Sequence, residues 1–327
     1  MAVISYIDAI TKALKEEMER DEKVFVLGED VGKKGGVFKA TAGLYEQFGA
    51  ERVIDTPLAE SAIAGVGVGA AMYGMRPVAE IQFADFILPA VNQIISEAAK
   101  IRYRTNNDWQ CPLVVRAPYG GGVHGALYHS QSLESVFANQ PGLKIVMPST
   151  PYDVKGLLKA AIRDDDPVLF FEHKRAYRLI KGEVPDDDYV LPIGKAEVKR
   201  EGTDITVITY GLCVHFALQA AEKLREDGIE AHILDLRTVY PLDKEAIIEA
   251  AAKTGKVLLV TEDNKEGSII GEVAAIIAEN CLFDLDAPIM RLAGPDVPAM
   301  PYAPSMEKYF MVNPEKVEKA MRELAEF

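Results

Sequence analysis

Apolar and polar positions alternate along this chain in two rhythms. Residues 6–20 repeat at helical spacing, and Ser5 stands where an N-cap belongs, so the first element predicted is an amphipathic helix over Tyr6 to Arg20. The apolar run "KVFVLG" follows and suits a buried strand. Further strand-like runs, "PVAEIQF", "PLVVRAP", "LKIVMPS" and "PVLFFE", are separated by helical patterns over Ile87 to Arg104 and Tyr152 to Arg163. Strands that alternate with helices in this way predict an α/β fold, a mostly parallel sheet covered on both faces.

From His173 to about Pro192 the rhythm stops at "HKRAYRLIKGEVPDDDYVLP", and the domain boundary is placed there, giving domains 1–185 and 186–327. The pattern then resumes with "DITVITYG", a helix over Val214 to Asp227, "EAHILDLR", a helix over Lys244 to Ala252, "KVLLVTED", a helix over Ile269 to Asn280, "APIMRLAG" and a helix over Glu315 to Glu326. A chain of 327 residues suits two domains of this kind.

Composition narrows the function classes. The net charge of −14 repels phosphate and argues against nucleic acid, while leaving a basic protein partner open. Cys111, Cys213 and Cys281 are odd in number and form no CxxC pair, which predicts reduced, buried thiols and a cytoplasmic protein. The amino terminus reads as a folded helix and not as a secretory or transit signal. The apolar run Ala62 to Met75 is shorter than the ~20 residues of a membrane span, so no membrane is expected.

Candidate chemistry is sparse on residue types alone. Gly65-x-Gly67-x-x-Ala70, with Asp85 further on, fits a dinucleotide fingerprint in form, but "RVID" ends well before it and the glycines fall inside a helix. A small-residue face that lets another backbone approach explains them better. The stretch "GEDVGKK" is one residue short of a phosphate loop and carries acids where an anion would sit. In "APYGGGVHGALYHSQS" a triple glycine and two histidines follow a strand, so His124 and His129 both stand as acid/base candidates. The acidic runs 164–166 and 186–188 read as solvated turns. HExxH, GxSxG and Cys/His clusters are absent.

Taken together, "GEDVGKKGGVFKAT", "RVIDTPLAESAIAGVGVGAAMYGMRPVAEIQFADFI", "VHGALYHSQS", "PGLKIVMPSTPYDVKGLLKAAIRDDDPVLFFE" and "DLRTVYPLD" resemble the β subunits of thiamine-diphosphate-dependent 2-oxo acid dehydrogenases, from about Ser5 to the carboxyl end. The resemblance implies a pyrimidine-binding α/β domain followed by a transketolase C-terminal-like domain. It implies that Glu60 lies beside a pyrimidine ring nitrogen of the cofactor, where loss of water favours its protonated form. Phe86 would stack on that ring, Leu58 and Gln82 would approach cofactor or substrate, and His129 would serve acyl transfer to a lipoyl arm. A potassium site is implied at Leu113, Val114, Ala161, Asp164 and Asp166, the last an asparagine in the mammalian branched-chain form.

The family's diphosphate and magnesium are held by a GDG followed by NN, and this chain has only "GED" and an isolated "TNN". The resemblance therefore implies an α subunit that supplies the rest, in an α2β2 heterotetramer, with the small-residue face at 62–71 as a subunit contact. It further implies docking on a dihydrolipoyl acyltransferase core through its basic subunit-binding domain and its lipoyl domain. "HGALYHSQS" and "IQFADFILPA" favour branched-chain 2-oxo acids; pyruvate or acetoin is the alternative. A silent docking subunit and a nicotinamide oxidoreductase built on Gly65 and Gly67 are the rivals from other classes.

Overall fold

The computed structural model describes every residue except Ala299. Two compact units are present: Met1–Tyr119 with Val136–Ile193, and Gly120–Ser135 with Gly194–Phe327. The chain thus passes into the second unit at Gly194 and not at 186. Residues 181–193 stay with the first because strand Lys181–Val184 pairs antiparallel with Ala2–Ser5, the Tyr189 hydroxyl donates to the Tyr152 carbonyl, and Leu191 N–H donates to the Gly156 carbonyl. The segment 120–135, inside the expected first domain, groups with the second unit.

In the first unit six parallel strands run in the order Lys144–Val146, Val168–His173, Val114–Tyr119, Arg76–Glu80, Val24–Gly28, Val53–Asp55. Val24–Gly28, Val114–Tyr119 and Val168–His173 are buried along their whole length, as central strands of a parallel sheet require. Helix Tyr6–Arg20 begins with a capping box in which the Ser5 hydroxyl accepts from Asp8 N–H and the Asp8 carboxylate accepts from Ser5 N–H. It packs against helix Pro151–Arg163, and the buried Glu17 is held there by the Arg163 guanidinium at 2.6 Å.

The helix expected over 87–104 is instead a succession of tight and wide turns: Leu88–Ala90 and Ala98–Lys100 are 3₁₀, Asn92–Glu97 is π, and only Ile101–Arg104 is α. Pro89 denies the first turn a donor, and the remainder adjusts its winding against helix Glu60–Met72. In that helix a Cβ at Gly67 would lie 2.8 Å from Leu113 Cδ1, so its inner small residues serve packing within the chain, and no dinucleotide turn is formed.

The second unit carries parallel strands in the order Met290–Gly294, Val257–Asn264, Ile205–Thr209, Ala231–Asp235, with Glu197–Arg200 antiparallel at the edge. Helices Cys213–Arg225, Lys244–Thr254, Ile269–Cys281 and Pro314–Ala325 match the expected ones within a few residues. All three cysteines are buried free thiols, and burial pushes that of Cys111 up to about 12. No described helix is long and apolar enough to cross a membrane.

The acidic runs are not merely solvated. Asp164 is held by Lys144, Asp166 by Arg102, and Asp165 by Arg76, while Asp188 meets Lys159 and Arg163, whose hydrogen bonds, Arg163 first, bring its carboxyl down to about 2.

Deep in the sheet, Arg116 reaches two carboxylates. Its Nε and Nη2 donate to Glu172 at 2.6 and 2.7 Å, and Nη1 donates to Glu80 at 2.7 Å. The Tyr177 hydroxyl adds a bond to Glu172 at 2.7 Å. Replacing Arg116 by Met should lower stability by about 3–5 kcal/mol, because it strands two buried carboxylates; urea denaturation at neutral pH measures the loss, and a change below about 1 kcal/mol would show that the cluster is not closed as described.

Candidate functional site

The three adjacent strands Arg76–Glu80, Val24–Gly28 and Val53–Asp55 are parallel, so their carboxyl ends lie side by side. Ligand sites of open α/β sheets form at such edges. Glu29 and Asp30 follow the middle strand directly. Leu58 and Glu60 follow Val53–Asp55, Glu60 as the first residue of helix Glu60–Met72. Gln82, Phe83 and Phe86 follow Arg76–Glu80. Gly28 makes this convergence possible: at its φ of 156° a Cβ would stand 2.6 Å from the Glu80 carbonyl oxygen.

Several of these residues meet. Gln82 Nε2 donates to the Glu29 carbonyl at 3.3 Å and to Asp30 Oδ2 at 3.4 Å. Burial, then the charges of Glu60 and Asp30, raise the Glu29 carboxyl above its usual range, which makes Glu60 a near neighbour. Asp30 is lowered, first by its hydrogen bond from Lys34. Phe86 lies edge-on to Phe83 with ring centroids 5.8 Å apart; Phe83 meets Phe38 likewise, and the Lys174 ammonium sits 5.6 Å from the Phe83 ring. Leu58 is 79% exposed.

Glu60 itself is half-buried in this chain and begins a helix, with Glu29 nearby. Two carboxyls so placed have the composition of an acid/base pair. Sequence reasoning missed Glu29 and Asp30. Their signal was the "GED" that failed as a phosphate loop, and only the parallel pairing of strands reveals why acids belong there.

Gly120–Ser135 is a loop of the second unit, closed by Gly120 N–H donating to the Gln131 carbonyl at 3.0 Å. The two histidines part company within it. His124 is a tether: its Nδ1 lies 2.6 Å from Glu307 Oε2 and its backbone N–H donates to Glu307 Oε1, Glu307 being buried in helix Pro304–Phe310. His129 is half-buried and ends the single turn Ala126–Tyr128. A Cβ at Gly125 would come within 2.6 Å of the His129 carbonyl oxygen, so that glycine lets the turn fold closely onto His129.

Glu60 and His129 therefore belong to different units. The implied cation residues are separate from Glu60 too. Leu113 and Val114 enter strand Val114–Tyr119 at its amino end, and Ala161, Asp164 and Asp166 close helix Pro151–Arg163 and the turn after it. A cavity of about 1020 Å³, lined in part by Arg102, Cys111, Gly142 and Asp166, opens at that same amino edge of the sheet. There the carbonyls of Leu113, Ala161 and Asp164 each accept one hydrogen bond, from Val168, Asp164 and Arg76, and keep a second lone pair. The Asp164 and Asp166 carboxylates face Lys144 and Arg102. Among the described residues no three His, Cys, Asp or Glu side chains cluster as a metal site.

Comparison with known proteins agrees with this architecture. Residues 2–180 match the model of the transketolase pyrimidine binding domain, and residues 194–317 that of the transketolase C-terminal domain. The chain is 87% identical, over the full length of both, to the 2-oxoisovalerate dehydrogenase subunit beta of Bacillus subtilis (strain 168). It is 48% identical, again over both full lengths, to the pyruvate dehydrogenase E1 component subunit beta of the same organism. A solved split-gene transketolase, described as an inactive β4 tetramer, superposes with a TM-score of 0.79 over 99% of this chain and 98% of that one; at 23% identity it speaks for the fold alone.

If Glu60 and Glu29 are neighbours as described, carbon-13 titration of Glu29 should give a midpoint above that of an ordinary glutamate, and Glu60→Gln, by removing a negative charge, should move it down. An unmoved midpoint would separate the two.

Proposed function

The chain belongs to the β-subunit family of 2-oxo acid dehydrogenases, built from transketolase-type domains, and on that premise we propose that it is the β subunit of a branched-chain 2-oxo acid dehydrogenase. It would decarboxylate branched 2-oxo acids such as 2-oxoisovalerate with thiamine diphosphate and pass the acyl group to a lipoyl domain. The observation that carries the substrate class is the 87% identity to a 2-oxoisovalerate dehydrogenase subunit, against 48% to a pyruvate dehydrogenase subunit. Pyruvate is the second reading.

The residues at the strand ends fit the pyrimidine half of that cofactor: a half-buried carboxyl, an amide and an aromatic ring converge on one sheet edge. They do not fit its diphosphate half, because Glu29 and Asp30 occupy the turn where an anion would need donors. Thiamine diphosphate, when bound, supplies the nucleophilic carbon and the electron sink for decarboxylation. Glu60 holds or releases a proton at its carboxyl oxygens toward a ring nitrogen, and Glu29 beside it raises the cost of leaving both ionised. Phe86, braced by Phe83, offers a stacking face, Gln82 keeps the Glu29–Asp30 turn in place, and Leu58 contributes apolar cover. His129 protonates or steadies the group that receives the acyl unit.

An α subunit would supply diphosphate and magnesium binding in an α2β2 assembly. The outer face of helix Glu60–Met72 supports this: Ala62, Val66, Gly69 and, just past its end, Tyr73 are all exposed at helical spacing, with Val66 at 57% and Tyr73 at 92%. That stripe starts beside Glu60, so a partner seated on it would also strip water from the carboxyl. The acidic surface suits a basic docking domain of an acyltransferase core. A potassium ion would draw on the free lone pairs of the Leu113, Ala161 and Asp164 carbonyls, with Val114 and Asp166 at its margin.

Co-expressed with an α subunit, the Glu60→Gln variant should lose about 10²–10⁴-fold in decarboxylation measured with an artificial oxidant; full activity would reject its role. His129→Ala should depress lipoyl acylation by at least about tenfold more than dye-linked decarboxylation, and equal losses would count against the assignment. On a substrate panel, turnover of 2-oxoisovalerate should exceed that of pyruvate; the opposite order would select the second reading.

A further inference from the structure

The loop that carries His129 is fastened to the rest of the second unit through several acids. Gly121 N–H donates to Glu262 Oε1 at 2.6 Å, the Ser135 hydroxyl to Asp263 Oδ2 at 2.7 Å, and His124 is held by Glu307. At the end of the loop Glu134 is 1% exposed. Its Oε1 accepts from the Tyr210 hydroxyl at 2.8 Å, and that hydroxyl in turn pairs with Thr261 Oγ1 at 2.7 Å. Its Oε2 is buried with no hydrogen-bond partner.

The groups that face Glu134 are Asp263, Glu262 and the Tyr210 phenol, together with its own backbone N–H; none of them is cationic. Cys213 also feels its charge. Asp263 has donors for its ionised form in the Ser135 hydroxyl and Asn264 N–H, and Glu262 has Gly121 N–H. Glu134 has the Tyr210 hydroxyl and its own backbone N–H, and its Oε2 has no hydrogen-bond partner. Burial raises both carboxyls, and the donors on Asp263 leave Glu134 the better seat for the proton the two share.

We propose that Glu134, as the neutral acid bonded to Tyr210, is a positioning residue that holds the His129 loop in place, and that its ionisation releases the loop. The consequence for catalysis rests on the reading of His129 given above. Burial first, then the charge of Asp263, pushes the Glu134 carboxyl up to about 8. A group raised in the folded state contributes stability that is complete below its ordinary value near 4.5 and is lost as pH climbs toward 8. Ionised, it would stand beside Asp263 and Glu262 without a counter-charge, and the loop is the part able to move.

The test uses the reconstituted α2β2 enzyme with a lipoyl domain. Lipoyl acylation, dye-linked decarboxylation and hydrogen exchange of residues 120–135, corrected for intrinsic base catalysis, are followed across pH. In the wild type, loop exchange should rise as pH climbs toward 8 and level off above it, acylation should fall at least about tenfold over the same window, and dye-linked decarboxylation should not follow. Glu134→Gln, which cannot ionise, should move both transitions up by at least about one pH unit. Tyr210→Phe should raise loop exchange already at neutral pH. Identical alkaline transitions in the wild type and Glu134→Gln, or wild-type loop protection in Tyr210→Phe, would overturn the proposal. Undiminished acylation in His129→Ala would instead overturn the reading of His129, and the exchange measurement would still decide what Glu134 does.

Discussion

One buried cation sets the frame in which the candidate site is built. Arg116 stands on the strand between Arg76–Glu80 and Val168–His173, in register with Glu80, and is completely buried. Burial alone would depress its charge, yet Glu172 and then Glu80 more than offset this and hold the guanidinium charged. Glu80, with a single bond to share, is raised by burial even so. Such a cluster adds little net stability over an apolar core of equal volume. What it does impose is register. Slipping one strand by a residue would turn the guanidinium or a carboxylate to the opposite face, uncompensated in an apolar interior. The carboxyl ends of these strands are thereby kept level, and the turns that carry Gln82 and Phe86 start from a fixed height beside the one that carries Glu29.

That frame explains what could and could not be read from the chain. The alternation of strands and helices was plain because burial on both faces makes each strand a run of apolar residues, and Ser5 with Asp8 marked the first helix by its capping chemistry. Arg116, Glu80 and Glu172 carry no such mark. Their partners are 36 and 56 residues away, and no local period reports a contact that only sheet order creates. The same holds for the winding of 84–104, where alternate turn types answer to the neighbouring helix and not to the side-chain pattern. The domain boundary was visible as a loss of rhythm, but the exact residue depends on Leu191 and Tyr189 packing back onto helix Pro151–Arg163.

For the site, residue type and resemblance gave the candidates, and tertiary contacts sort their surroundings. His124 and His129 lie five positions apart in one loop and look alike on paper. Glu307, nearly two hundred residues downstream, makes one of them a tether. Glu29 shows the converse. An acid directly after a strand, in a motif that fails as a phosphate loop, is meaningless until the neighbouring strand is known to deliver Glu60 beside it.

The excess of negative charge then acquires a local meaning. In the first unit the acids around the sheet core and helix pair are matched by Arg116, Arg163, Lys144 and Arg102. The two sets beside the proposed chemistry are treated differently. Glu29 is raised by burial and by Glu60, and Glu134 by burial and by Asp263, with no lysine or arginine among the causes that act on either. Where a carboxylate must stay charged to hold the fold, this chain supplies a base; where a carboxyl must keep or exchange its proton, the base is withheld and a second acid stands in its place. Acids raised in this way arise in each unit, Glu29 at the sheet edge and Glu134 under the loop with His129, so the two proposed steps need not share a single titrating group.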